Sequence, residues 1–269
     1  MRKIVHISDL HFGRINEPLL QPLIDLIKSE NPDVIVISGD ITMRARKREF
    51  IAARAFLDKI PFPQIIVPGN HDIPLYNMYS RFFQGLKKYR LYITDDLEPV
   101  YKDESLLIYG LNSARSFALV RGRVDLSQIK KICKEFDKLP QEVLRIIVTH
   151  HPFDLPKDFR PYNLQRKPAQ AMELLIKSKV DILLAGHTHK SIIDHVPLQG
   201  KDLGYHPLII QSGTSTSVRT RRENHQNTFN IITVNYPVME IKNYFWDKED
   251  KMFVAKRIKN FTHTETGWS

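Results

Sequence analysis

Short aliphatic runs alternate with amphipathic stretches over the first two-thirds of the chain. A continuous aliphatic run is typical of a strand buried on both faces, and such runs predict strands at residues 3–8, 33–38, 64–68, 143–149 and 180–185. Apolar side chains at helical spacing predict amphipathic helices at residues 18–30, 47–59 and 167–179, and around Cys133. Strands that alternate with helices indicate an α/β fold.

The chain changes character after residue 190. Strands without intervening helices are predicted at residues 207–211, 228–235, 238–246 and 252–259, after an earlier hairpin at 97–102 and 105–111. The segment 74–95 is rich in Tyr, Phe, Arg and Lys, and we expect it to be helical from about residue 75 and to form a wall over the site. No repeat or linker-like composition divides the sequence, so residues 1–269 are expected to form one domain.

Polar side chains follow each of the five aliphatic runs, at the point where the predicted strand ends. They are Asp9 and His11, Asp40, Asn70 and His71, His150, and His187 and His189. Open α/β sheets bind their ligands at the carboxyl ends of their strands, so we expect these groups to meet at the same edge of one sheet. A packing role would explain the glycines beside them, but not the repeated oxygen and imidazole groups.

Carboxylate, carboxamide and imidazole ligands suit Mn, Fe or Zn ions. No thiolate belongs to the set, which argues against a structural zinc site. The groups are too numerous for one ion, so a pair of ions bridged by a carboxylate is the natural arrangement. Two cations about 3.5–4 Å apart are a standard device for phosphoryl hydrolysis. The sequence therefore predicts two divalent or trivalent metal ions as cofactors, with Mn, Fe and Zn left open.

The same groups stand in motifs that resemble a known family, the calcineurin-like metallophosphoesterases. The motifs are Asp9-Leu10-His11, Gly39-Asp40, Gly69-Asn70-His71-Asp72, His150 and Gly186-His187-Thr188-His189. They resemble the family in residue type, order and spacing, from about residue 3 to the strands near residue 234. Residues 39–42 and 67–74 resemble the branch of bacterial class III cyclic-nucleotide phosphodiesterases. The resemblance implies a four-layer α/β/β/α sandwich, with two mixed β-sheets flanked by helices.

Carried over to matching positions, the family pattern implies a set of metal ligands. One ion would be held by Asp9, His11 and His189, the other by Asn70, His150 and His187. Asp40 would bridge the two ions, together with a water or hydroxide.

The resemblance also implies catalytic roles beside the metals. His71 would contact the phosphate and protonate or stabilise the leaving oxygen, and Asp72 would orient His71. His150 is taken as the ligand of its histidine pair because it is the first polar group after the strand, and His151 is expected to be structural.

Together these features predict a hydrolase acting on phosphoric ester bonds, in which a metal-bridging hydroxide attacks a small phosphodiester such as a 3′,5′-cyclic nucleotide. A nuclease on the same scaffold is an alternative, although no aromatic-basic array typical of nucleic-acid binding is present. A non-catalytic protein-binding scaffold should lack ligands, and none is missing here. A lipid phosphoesterase acting at a membrane surface would use residues 76–92, which form no clear amphipathic anchor.

Composition adds information about partners and compartment. The 269 residues include 40 Lys and Arg against 30 Asp and Glu, a formal charge of +10 that should attract a small anionic phosphoester. The basic loop from Arg219 to Asn227 either lines the pocket or closes a hairpin, and the sequence leaves the oligomeric state open, a dimer included. Cys133 is the single cysteine. With neither a signal peptide nor an apolar run long enough to span a membrane, a cytoplasmic location is expected.

Overall fold

The computed structural model of the chain describes residues 1–75, 79–117, 121–156, 164, 166, 168–196, 203–218 and 226–269. The described helices, in chain order, are α1 Leu20–Glu30, α2 Lys47–Leu57, α3 Lys87–Tyr92, α4 Leu126–Phe136 and α5 Pro168–Lys177. The first five described strands are β1 Arg2–Ile7, β2 Val34–Ile37, β3 Gln64–Ile66, β4 Val100–Lys102 and β5 Leu106–Leu111. They are followed by β6 Leu144–Thr149, β7 Ile182–Ala185, β8 Ile192–His195 and β9 Leu208–Gln211. The last are β10 Thr228–Asn235, β11 Val238–Asp247, β12 Met252–Thr264 and β13 Gly267–Trp268.

These strands form two mixed sheets. One has seven strands in the order β13-β12-β11-β10-β1-β2-β3, and the other has six in the order β4-β5-β6-β7-β9-β8. Strands β1, β2 and β3 run parallel to one another, as do β5, β6, β7 and β9. The predicted strands of the aliphatic runs are therefore confirmed, and they are shared between the two sheets.

Three apolar clusters hold the layers together. The first packs α1 and α2 on the outer face of the seven-stranded sheet, where Ile24, Phe50 and Phe229 belong to one cluster. The second fills the space between the sheets with aliphatic side chains from both, such as Val36 and Ile146. The third packs α4 and α5 on the outer face of the six-stranded sheet. The predicted four-layer α/β/β/α architecture is thus confirmed.

Several local predictions are wrong or incomplete. The predicted helical wall over 74–95 is broken in its described part: a π-helical turn at Ser80–Gln84 ends at Gly85, whose φ of 43° stops it, and α3 begins two residues later. Strands β8 and β13 were not predicted, because runs of four and two residues carry little periodic signal.

Some sequence predictions lie outside the described residues. They include the middle of the predicted flap at 153–166, residues 76–78 of the wall, and Arg219, Arg221, Arg222, Asn224 and His225 of the basic loop. Among the described residues, no helix combines the length and the apolar character that crossing a bilayer would require.

Candidate dinuclear metal centre

The predicted ligands converge from two sheets, not from one sheet edge as expected. Asp9, Asp40 and Asn70 follow β1, β2 and β3 of the seven-stranded sheet, whereas His150 and the two later histidines follow β6 and β7 of the other sheet. Both sheets present the carboxyl ends of their parallel strands on the same side of the sandwich. Buried parallel strands of either sheet have the same aliphatic pattern, so this division is not visible in the sequence.

Four donor groups make up the first set: Asp9, His11, Asp40 and His189, whose ligand atoms all lie within 4.8 Å of one another. Oδ1 of Asp9 is 3.2 Å from Nε2 of His189. The Nε2 atoms of His11 and His189 are 3.0 Å apart, and Oδ2 of Asp40 is 3.8 Å from Nε2 of His11. These side chains are buried.

A second set lies on the other side of Asp40. Nε2 of His150 is 3.2 Å from Oδ1 of Asn70, 3.3 Å from Nδ1 of His187 and 3.4 Å from Oδ1 of Asp40. The two carboxylate oxygens of Asp40 therefore face different sets. His151, predicted to be structural, also comes within 4.8 Å of His150 and His187 by a ring nitrogen, while its Nδ1 lies 2.9 Å from Oγ of Ser113.

The hydrogen bonds of Asp9 indicate that this donor set fits a cation. Oδ2 accepts hydrogen bonds from Oγ of Ser8 at 2.7 Å and from the backbone N–H of His187 at 3.0 Å. Oδ1 is buried, makes no hydrogen bond of acceptable geometry with any described residue, and faces the histidine rings. A buried carboxylate oxygen is costly unless a cation or a donor satisfies it. Oxygen and imidazole donors together suit Mn, Fe or Zn.

Three glycines, each directly before a donor residue, are there because the donors pack against their Cα atoms. A Cβ on Gly39 would lie 2.6 Å from Nδ1 of His150, and a Cβ on Gly186 would lie 2.6 Å from Oδ2 of Asp9. A Cβ on Gly69 would overlap both the side chain and the backbone of Asp40. Glycine in these motifs thus allows the strand ends to approach closely.

The backbone of the donor residues is strained. Five residues of the two sets adopt left-handed conformations, with φ of 51° to 73°: Asp9, His11, Asp40, His187 and His189. Such conformations are uncommon outside glycine and cost on the order of 1–3 kcal/mol each. They turn each chain sharply at the strand end, and the surrounding structure maintains them.

Two buried carboxylates give the site a strong negative field. Burial alone would raise the pKa of Asp40, but neighbouring His150 and His71 hold it well below its usual range. The same pairing acts in reverse on His150: burial would lower its pKa, yet Asp40 raises it to about 9. Burial lowers the pKa of His11 to about 3, which favours the neutral form that a metal ligand requires. The field that attracts a proton to His150 equally attracts a cation.

The expected contact between Asp72 and the ring of His71 is not made, and this prediction is corrected. The buried carboxylate of Asp72 accepts hydrogen bonds from the N–H groups of Ile41, Thr42 and Gly69, and from Oγ1 of Thr42. The ring of His71 is instead oriented by a backbone carbonyl: its Nδ1 lies 2.9 Å from the oxygen of Met43. Asp72 therefore fixes the loop after β2 that carries this carbonyl.

Sequence reasoning missed Met43, Ser8 and Thr42 as supporting residues. Met43 contributes only its backbone, so its side-chain type gives no signal. Ser8 and Thr42 stand directly beside Asp9 and close to Asp40 in the sequence, and that proximity was the only signal that could have found them.

The sequence model of the calcineurin-like phosphoesterases matches residues 2–191. The chain belongs to this family. Membership places this phosphoesterase with hydrolases that act on phosphoric esters, and the two donor sets form a candidate dinuclear metal site.

Three curated relatives of this phosphoesterase align over parts of their length. Glycerophosphodiester phosphodiesterase GpdQ of Enterobacter lignolyticus is 35% identical over 80 residues, which cover 26% of this chain and 29% of that protein. The nuclease SbcCD of Staphylococcus saprophyticus is matched through one of its subunits, 33% identical over 116 residues, or 37% of this chain and 30% of that protein. A probable cyclic nucleotide phosphodiesterase of Synechococcus is 24% identical over 71% of this chain and 74% of its own length. The first two matches thus span less than a third of those relatives.

Two solved structures share the fold of this phosphoesterase. A dimetal phosphatase from Danio rerio superimposes with a TM-score of 0.69 at 14% identity, covering 98% of this chain and 99% of its own. Purple acid phosphatase PPD1 from yellow lupin gives a TM-score of 0.73 at 11% identity, covering 97% of this chain and 53% of its own. At such identities the likeness concerns the fold alone.

Proposed function

We propose that the chain is a dinuclear metal-dependent phosphodiesterase of small anionic phosphodiesters. The observation that carries the proposal is the position of Asp40, one carboxylate oxygen of which lies 3.8 Å from the first donor set and the other 3.4 Å from the second. A carboxylate shared in this way is what a bridged metal pair requires. The unsatisfied Oδ1 of Asp9 gives independent support.

The proposed ligand roles follow the two sets. Asp9, His11 and His189 hold one ion, Asn70, His150 and His187 hold the other, and Asp40 joins them. When bound, the two ions would supply Lewis acidity to the phosphate oxygens and a water nucleophile active near neutral pH. The donor types leave Mn, Fe and Zn as candidates.

His71 is proposed to donate a proton to the leaving oxygen. A carbonyl oxygen can only accept, so the bond to Met43 places a hydrogen on Nδ1 of His71. The other ring nitrogen, Nε2, lies 4.0 Å from Oδ2 of Asp40, at the border of both donor sets. The side chain of His71 is 13% exposed, so Nε2 can meet a substrate while the backbone holds the ring. In its protonated form His71 would stabilise an alkoxide as it departs.

We propose a 3′,5′-cyclic nucleotide as a representative substrate. The relatives that support this proposal are named for phosphodiester hydrolysis, and one of them is a probable cyclic nucleotide phosphodiesterase. The formal charge of +10 favours anionic substrates in general. We further propose that residues 1–269 act as one domain and that the protein works in the cytoplasm.

A nuclease is the second candidate, supported by the match to the SbcCD nuclease and by the basic charge. A protein-binding scaffold without metals is not favoured, because every ligand type that the family pattern implies is present in this chain.

A substrate panel tests the proposal. Purified protein loaded with Mn²⁺ is given cyclic AMP, bis(p-nitrophenyl) phosphate and single-stranded DNA, with chelated protein as the control. We expect metal-dependent hydrolysis of the two small diesters. DNA hydrolysis far faster than both would favour the nuclease, and no hydrolysis of any substrate by fully loaded protein would favour the scaffold.

A further inference from the structure

A cavity of about 290 Å³ opens directly beside the candidate metal centre and shares His189 with it. Its far wall is formed by Phe245 of β11 and Arg257 of β12, and it is completed by residues near the starts of β8 and β10. Thr228 pairs with Phe245 across the ladder between β10 and β11, so the cavity lies at the sheet edge that carries the donor sets. Small-molecule sites are usually about 300–1,000 Å³, so this cavity suits one functional group better than a whole nucleotide.

Arg257 is held in this cavity by an aromatic ring. Its guanidinium carbon lies 5.2 Å from the centroid of Phe245, a cation–π arrangement. No hydrogen bond or ion pair joins Arg257 to another described residue. A guanidinium that lies on a ring keeps the N–H donors at its edge available, and its planar fork matches a phosphate or carboxylate.

Other groups of the cavity wall also suit an anion. Ser191 and Thr228 line it, and the hydroxyl oxygens of both are buried without a hydrogen-bond partner in the described parts of the chain. Buried unsatisfied hydroxyls are rare and call for a polar guest. Lys190 adds a second positive charge to the same wall.

We propose that this cavity is a subsite for a second anionic group of the substrate, a phosphate carried by the same molecule as the diester at the metals. The inference rests on the proposed phosphodiesterase function and narrows it. It favours diesters that bear an additional phosphate, such as a terminally phosphorylated dinucleotide, over diesters that bear only one.

Two substrates that differ by a single phosphate test this subsite. The value of kcat/KM is measured with Mn²⁺ for a thymidine dinucleotide and for its 5′-phosphorylated form. We expect the wild type to prefer the phosphorylated form by about tenfold or more, the worth of one charged bidentate contact. In Arg257→Gln this preference should fall towards one.

Lys256→Gln is the matched control. Lys256 is adjacent to Arg257 on β12, but it is not among the residues that line the cavity, and it is ion-paired with Asp247 at 3.4 Å. This variant removes the same charge and should keep the preference of the wild type. Equal rates on the two dinucleotides in the wild type would overturn the subsite. An equal loss on both substrates in Arg257→Gln would also overturn it, because that result would indicate a structural role.

A binding measurement separates failure of the subsite from failure of the proposed function. If neither dinucleotide nor bis(p-nitrophenyl) phosphate is hydrolysed, the phosphodiesterase proposal fails, and the subsite is then judged by calorimetry. Thymidine 3′,5′-bisphosphate should bind about tenfold more tightly than thymidine 3′-monophosphate to wild-type protein, with and without Mn²⁺, and this difference should vanish in Arg257→Gln. Equal affinities in the wild type would reject the subsite.

Discussion

Nδ1 of His71 lies 2.9 Å from the carbonyl oxygen of Met43, a residue of the loop that follows Asp40. The bond orients the ring and assigns a hydrogen to Nδ1, which leaves Nε2 directed towards the donor sets. A proton donor beside a metal pair is thus fixed by backbone, and its orientation depends on how residues 41–43 are held.

Replacement of His71 by Ala tests this proton donor. We expect turnover of cyclic AMP to fall by about 10²–10⁴, the usual worth of general acid catalysis. Hydrolysis of bis(p-nitrophenyl) phosphate should fall much less, because p-nitrophenolate departs without a proton. Metal content, measured on the same samples, should stay at the wild-type value since His71 belongs to neither ligand set. An equal loss on both substrates would refute the assigned role.

Replacement of Asp72 by Asn tests the support beneath His71. Both carboxylate oxygens of Asp72 accept backbone N–H groups, so an amide NH₂ would meet a donor on one side. Burial, together with the nearby Asp40, raises the pKa of Asp72 to about 7, which makes the site costly even in the wild type. We expect Asp72→Asn to lose roughly 2–4 kcal/mol in urea unfolding and to lower kcat at least about tenfold. Asp25→Asn, an exposed position on α1, should change neither; a fully stable and active Asp72→Asn would show that the loop needs no such anchor.

His6 gives the stability of the protein a defined pH dependence. It lies in β1, fully buried, with Nε2 2.9 Å from Oγ of Ser38, and burial lowers its pKa to about 3. Since the unfolded chain binds the proton near pH 6.5, stability rises with pH between about 3 and 6.5 and falls as the solution is acidified. From pH 8 to pH 5 this group should remove about 2 kcal/mol.

The variant His6→Gln isolates that contribution. Urea unfolding of chelated wild type and variant at pH 8 and pH 5 should show a loss on acidification that is about 2 kcal/mol smaller in the variant. The other histidines titrate in both proteins and cancel in the comparison. Identical losses would show that His6 is not held neutral in the folded protein.

Much of the fold was predictable because its buried strands are continuous aliphatic runs. Strands such as β2 and β6 are buried along their whole length, and the residues directly after them are the candidate ligands. The division of these strands between two sheets could not be predicted, because it depends on pairing partners and not on periodicity. The correct four-layer architecture came from the family resemblance and not from the pattern.

The site shows a similar limit. The donor types and their places after strands are visible in the sequence, but the left-handed backbone of Asp40 and His189 is a property of the folded strand ends. Asp72 stands next to His71 in the chain, which suggested direct contact. In the structure its carboxylate accepts hydrogen bonds from the backbone of residues 41, 42 and 69, because a buried carboxylate is stabilised most by several N–H donors at once.

The bridging role of Asp40 is tested most directly by counting ions. Metal-free wild type and Asp40→Asn are loaded with Mn²⁺, freed of unbound metal and analysed for manganese per chain. We expect two ions per wild-type chain and a loss at both positions in the variant, because a carboxamide offers one neutral oxygen where two charged ones faced the ligand sets. Wild-type protein that holds at most one ion under saturating Mn²⁺, or an Asp40→Asn variant that still holds two, would contradict the shared metal pair.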